Sequence, residues 1–200
     1  MSNKGIFSPK DTKFLMDMEQ YPRYGQLELI EYKNITTGVT AIDFVNIKED
    51  IYDTHFLTWN NAVPQTDTKV LSLRVSDDNG STFKSDTNYD IAFLNGSSQN
   101  STWTENLSVS FTYMYCSTSV GNSTGESANG YAYLHDLGNP DKYAYQTFHS
   151  SDLQGTPYLQ CFMGAQQYGN QNIHNAFRLA EASASTTWTG NFALYGIRFT

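Results

Sequence analysis

The chain has 200 residues and a formal net charge of -8; 39% of its residues are hydrophobic and only 16% are charged. That length suits a single all-β domain of about 200–250 residues, with a core large enough to fold without staples. The acidic balance, with Lys and Arg scattered singly, argues against nucleic acid as a partner, and no apolar run reaches the ~20 residues of a membrane span.

Residues 1–26 read as an arm. The opening MSNKGIFSPKD has no apolar run of the kind a signal peptide needs. Ser8 can cap a short helix that begins at Pro9, where the missing N–H costs nothing. Asp11 suits the positive end of the helix dipole. Phe14, Leu15 and Met18 then form a narrow apolar stripe, and Tyr21-Pro22 ends the helix, because the residue before a proline is driven out of helical conformation. This stripe, with Ile6 and Phe7, is too small to make a core of its own. Ile6, Phe7, Phe14, Leu15 and Met18 are therefore the expected anchoring contacts to a larger assembly.

From Leu27 onward the apolar period becomes two, and residues 27–200 are expected to form one β-sandwich domain. Strands are predicted over 27–33, 39–47, 54–60, 69–76, 89–94 and 107–116, then over 130–135, 142–148, 158–163, 174–181 and 191–200. In 69–76 the alternation puts Leu71, Leu73 and Val75 on an apolar face opposite Val70, Ser72, Arg74 and Ser76. Asp77-Asp78-Asn79-Gly80 reads as a hairpin turn, with Asn-Gly supplying positive φ cheaply. The last strand is apolar almost throughout, which predicts burial on both faces. Many short strands with frequent turns and no intervening helices indicate an all-β, antiparallel sandwich of jelly-roll type.

The chemistry-bearing residues form no recognisable motif. His55, His135, His149 and His174 are widely spaced, so neither a metal nor a cofactor is expected. Cys116 and Cys161 lie in apolar-alternating runs and read as two buried free thiols, with a cross-strand disulfide as the alternative. Asp43, Asp53, Asp67, Asp90, Glu105, Asp136 and Asp152 could supply a glycosidase pair, but no spacing singles one out. Three alternating tyrosine pairs recur: Tyr113 with Tyr115, Tyr131 with Tyr133, and Tyr143 with Tyr145. They can fill the core, form a subunit interface or stack on sugar rings.

The order of certain segments carries a resemblance. Ala41-Ile42-Asp43-Phe44 with Ile47 precedes Leu71-Ser72-Leu73-Arg74-Val75-Ser76-Asp77-Asp78-Asn79-Gly80. Near the end come Phe177-Arg178-Leu179 and Leu194-Tyr195-Gly196-Ile197. Over residues 38–200 this resembles a group of tailed-bacteriophage virion proteins with the pattern D-F-x-x-I, L-x-L-R-x-S-x-D-x-G, a late x-R-L strand and a closing L-Y-G-I. The resemblance implies a structural part of a virion, either a capsid decoration or a tail or fibre component, and carries no catalytic motif. The expectation is a non-enzymatic accessory virion protein, attached through its arm to other phage capsid or tail proteins and self-associating, with a trimer favoured. A carbohydrate-binding receptor-recognition module of a phage tail, contacting a host-surface glycan, is the alternative; a polysaccharide depolymerase ranks below both.

Overall fold

A computed structural model of the chain describes residues 26–154, 158–183 and 185–198. The arm residues Ile6, Phe7, Phe14, Leu15 and Met18, and the helix expected over 9–21, lie outside the described residues. The described chain is all-β and builds two antiparallel sheets. Its strands are β1 (Gln26–Val39), β2 (Ala41–Val45), β3 (Thr54–Pro64), β4 (Lys69–Ser76), β5 (Tyr89–Ser97) and β6 (Thr102–Phe111). There follow β7 (Met114–Val120), β8 (Ala128–His135), β9 (Ala144–Leu153), β10 (Leu159–Tyr168), β11 (Ala176–Ala180) and β12 (Trp188–Arg198). One sheet has eight strands in the order β1-β12-β3-β8-β9-β10-β5-β6, the other four in the order β2-β11-β4-β7.

Three expectations need correction. The single strand over 107–116 is two strands, β6 and β7, separated by a bend at Thr112-Tyr113 and lying in different sheets. Asp77–Gly80 does turn through positive φ at Asn79 and Gly80, but it is not a hairpin, because β4 and β5 also belong to different sheets. The turn is held by Asp78, which accepts from the Thr82 backbone N–H at 2.8 Å and from the Thr82 hydroxyl at 2.6 Å. The last strand, β12, sits one place in from an edge, and Tyr195 and Ile197 on its outer side are only half-buried.

The core fills the space between the sheets. Trp59, Trp188, Phe44, Phe177, Phe192, Leu57 and Leu71 are all fully buried there. Each such side chain contributes about 1.5–3 kcal/mol by leaving water. Trp59 lies against β8 at Gly130, where a Cβ would meet the indole ring at 2.6 Å, so only glycine fits.

At one place the two sheets are joined by polar groups. The free edge of β7 faces the large sheet rather than solvent, which exposes the Tyr115 backbone to a dry interior. Gln166 from β10 answers it like a missing strand: its Oε1 accepts from the Tyr115 N–H at 2.7 Å and its Nε2 donates to the Tyr115 carbonyl at 2.9 Å. Gln146 from β9 donates to the same carbonyl, also at 2.9 Å. Both glutamines are buried. An unsatisfied buried N–H costs about 1–3 kcal/mol. Gln166→Leu, which keeps the volume and loses the pairing, should therefore lower the unfolding free energy by about 2–3 kcal/mol in urea titration. A loss under 0.5 kcal/mol (about the noise of a surface substitution) would show that the edge is satisfied otherwise.

Nearby, the Asp152 carboxylate accepts from the Ser117 hydroxyl, which in turn accepts from Ser150 at 3.3 Å. Burial pushes Asp152 up to about 7. The folded chain keeps this proton over a pH range in which the unfolded chain has lost it. The stability this group contributes is thus full below about pH 4 and is lost as pH rises through 7. His55 and His174 act in the opposite sense: burial lowers both, so their contribution is lost as pH falls below about 6.5. Asp152→Asn removes only the first effect. Between pH 5 and pH 8 its stability relative to wild type should improve by about 2–3 kcal/mol, measured by urea unfolding at each pH. A difference that does not change with pH would refute the assignment.

Candidate interaction surface

The two sheets present very different faces to solvent. On the small sheet, cross-strand register places Asp43, Arg178 and Arg74 side by side on β2, β11 and β4. Arg178 donates to both Asp43 carboxylate oxygens, at 2.6 and 2.7 Å, and its guanidinium lies 4.1 Å from the Phe83 ring centroid. Arg74 covers Tyr113 at 5.8 Å. This is a solvated, charged face. Both side chains of the Asp43–Arg178 pair are about a third exposed, so the pair contributes only about 1 kcal/mol.

The large sheet carries the opposite pattern. One register row crosses it from Leu29 through Tyr195, Phe56 and Tyr133 to Thr147, and on through Ala165 and Ala92 to Leu107. The next row runs from Tyr32 through Ala193, Thr58, Tyr131 and His149 to Met163, Leu94 and Glu105. In these two rows Glu105 is the single charged side chain. Leu29, Tyr32, Tyr131, Tyr133, Met163, Leu94 and Leu107 are all exposed. Contiguous apolar faces of this extent mark sites of interaction.

Aromatic rings cluster at the middle of the face. Phe56 packs against Tyr133 at 5.0 Å, Tyr131 at 5.8 Å and Tyr195 at 6.1 Å between centroids. Tyr131 meets His149 edge-on at 5.9 Å. Beside them a groove of about 350 Å³ has Phe56, Tyr131 and His149 as walls, with Asn60, Asn129 and Ser151 at its polar end. Asn129 is held in place by the Asn61 N–H, which donates to its Oδ1 at 2.8 Å, while its Nδ2 donates to Ser127 at 3.2 Å.

Of the six tyrosines singled out by alternation, the structure places Tyr131, Tyr133 and Tyr145 on this outer face, and Tyr143 exposed just before β9. Tyr113 and Tyr115 are not with them. Tyr115 packs at 5.1 Å on Phe93 and at 5.3 Å on Phe111, with Tyr113 beside it. Sequence reading missed Phe56, Tyr195, Leu94, Met163, Trp103, Leu107 and Val109 as surface residues. The period-two spacing of Trp103, Leu107 and Val109 was the available signal.

His55 is buried, with Nε2 at 2.9 Å from the Ile47 carbonyl, and His174 is buried against Tyr168. His135 and His149 lie on the outer face of the large sheet. Among the described residues no three His, Cys, Asp or Glu side chains come together to hold a metal ion. Both cysteines are free. Cys116 is buried between the sheets, but Cys161 is half-exposed on the outer face, 3.3 Å from His149 Nε2, which corrects the expectation of two buried thiols and keeps the two sulfurs on opposite sides of the large sheet.

Comparison with known proteins finds no matching family model, no matching curated protein and no matching solved structure.

Proposed function

We propose that this chain is an accessory structural protein of a tailed-phage virion, a surface β-sandwich attached to capsid or tail proteins through its arm. The observation that carries the reading is the outer face of the eight-stranded sheet, whose two middle rows are rich in exposed Tyr, Leu and Met and hold one carboxylate, a surface suited to assembly with other protein. The order of the strands supports a jelly-roll reading of the sandwich. With β8, β9 and β10 counted as one expanded position, the sheets read first-eighth-third-sixth and second-seventh-fourth-fifth from β2 to β11, the two interleaved sets of a double Greek key. The resemblance of residues 38–200 to virion proteins points the same way. Its motif residues have structural roles: Asp43, Arg74 and Arg178 share one row, and Gly196 leaves room for the Tyr52 ring, which a Cβ would meet at 2.4 Å. Antibody raised against residues 38–200 should label intact particles under immunogold, and protein lacking residues 1–24 should fold but fail to incorporate. Unlabelled particles that lack the protein would sink this reading.

A second reading rests on the groove between Phe56, Tyr131 and His149. Aromatic walls with fixed amide and hydroxyl groups at one end are the chemistry of sugar recognition. On this reading the domain holds a host-surface glycan while its edges serve assembly. A glycan array followed by titration calorimetry should find a ligand whose affinity drops about tenfold in Tyr131→Ala, roughly the worth of one stacked ring, and is unchanged in Tyr113→Ala. No retained glycan, or equal loss in both variants, excludes the groove as a sugar site.

A further inference from the structure

The four edges of the two sheets are treated differently. Exposed edges template pairing with other chains, and proteins guard them with charges, bulges, shortness or cover. β1 carries Glu28, Glu31 and Lys33, with a 2.5 Å Lys33–Glu31 ion pair, and is broken by register shifts at Leu29/Glu31 and Ile35/Val39. β2 has only five residues. β7 is irregular in its pairing and is covered by Gln146 and Gln166. β6 has none of these devices along most of its length. Its ten residues, TWTENLSVSF, include no Lys, Arg or Pro and one charge, Glu105. Its pairing with β5 is regular from Thr102 to Ser108, the one irregularity falling beyond that at the Phe111 end. Among the described residues no strand pairs with its outer side.

The side chains on this edge are apolar where they are most exposed. Trp103 is 58% exposed, Leu107 71% and Val109 79%, next to Leu94 at 39%. Trp103 lies across Gly96 on β5, whose absent side chain makes room for the ring. These four residues present roughly 500 Å² of apolar surface per copy, taking about 200 Å² for each large side chain fully exposed. A stable dimer needs about 800 Å² per partner, of which this patch is more than half.

We propose that β6 pairs antiparallel with β6 of a second copy of this chain, across a two-fold axis, joining two eight-stranded sheets into one. A register centred on Leu107 sets Leu107 against its own mate and Glu105 against Val109 of the other copy, so the two Glu105 carboxylates never face each other. The alternative register centred on Glu105 would oppose like charges. The outer apolar rows then run unbroken across the pair, and the groove at Phe56 and Tyr131, several strands away, stays open.

This pairing deepens the assembly role proposed above by naming its partner and edge, and its test stands apart from particle labelling. Sedimentation of the full chain at micromolar concentration should show a discrete dimer. Leu107→Lys should weaken it at least about a hundredfold, since two ammonium groups would meet at the axis, while the circular dichroism spectrum is unchanged. In a Cys161→Ser background, Leu107→Cys should cross-link to a covalent dimer on mild oxidation, because opposed residues in an antiparallel pair have Cα atoms about 4.5–5.5 Å apart, within disulfide reach. Leu27→Cys, on the guarded β1 edge, should not. A monomeric wild type, a trimer, open-ended aggregation, or an oligomer indifferent to Leu107→Lys would each overturn the pairing. A monomer found on particles overturns the pairing alone; a dimer absent from particles overturns the virion reading alone.

Discussion

The fold depends on closing the free edge of β7. A four-stranded sheet that packs on an eight-stranded one leaves an edge directed into its neighbour, where water cannot satisfy the backbone. Gln166 resolves this by pairing with both polar groups of Tyr115, and Gln146 adds a second donor to the carbonyl. With that edge satisfied, β7 can bury Met114 and Cys116 in the core, and Phe93 and Phe111 can close around Tyr115. The same region holds Asp152, whose carboxyl is pushed up to about 7 by burial and accepts from the Ser117 hydroxyl. The interior tolerates Gln146, Ser150 and Asp152 on β9 and Gln166 on β10 because each meets a partner from β7.

A second consequence is the imbalance between the sheets. The small sheet spends its inner side chains, Phe44, Phe177, Leu73 and Val75, on the core and keeps Asp43, Arg178 and Arg74 for solvent. The large sheet is twice as wide, so the small sheet cannot shield it, and its far side is built from Tyr, Leu, Met and Phe instead of charge. A chain with a formal net charge of -8 could easily have placed Lys or Glu there. That the two central rows carry one carboxylate between them is the physical reason to read this side as a contact surface.

Much of the fold was legible where one face is buried and the other wet. The stretch 69–76 alternates cleanly because Leu71, Leu73 and Val75 enter the core while Arg74 stays outside, and β8 and β9 were visible through their alternating tyrosines. The start of β6 was not legible. Thr102, Trp103, Thr104 and Glu105 are all exposed, so no alternation of burial marks them as a strand. Adjacency was equally hidden. Nothing in the local pattern says that β8, with Tyr131 and Tyr133, pairs with β9, with Tyr145, or that Tyr115 turns inward toward Phe93. The Asn79-Gly80 turn was read from sound local chemistry, yet a turn does not specify whether its two strands share a sheet.

The edges complete this argument, because they show where a sequence spends polar residues when packing does not require them. Charges on β1 oppose strand pairing, and the glutamines over β7 replace it. β6 has the same solvent exposure without those measures, and its tryptophan is seated on a glycine rather than withdrawn from the surface. An edge left open in a molecule that closes its others is better explained by a strand that fits it than by chance composition. Among candidate strands, β6 of another copy matches it in length, in apolar pattern and in the spacing of its one acidic residue.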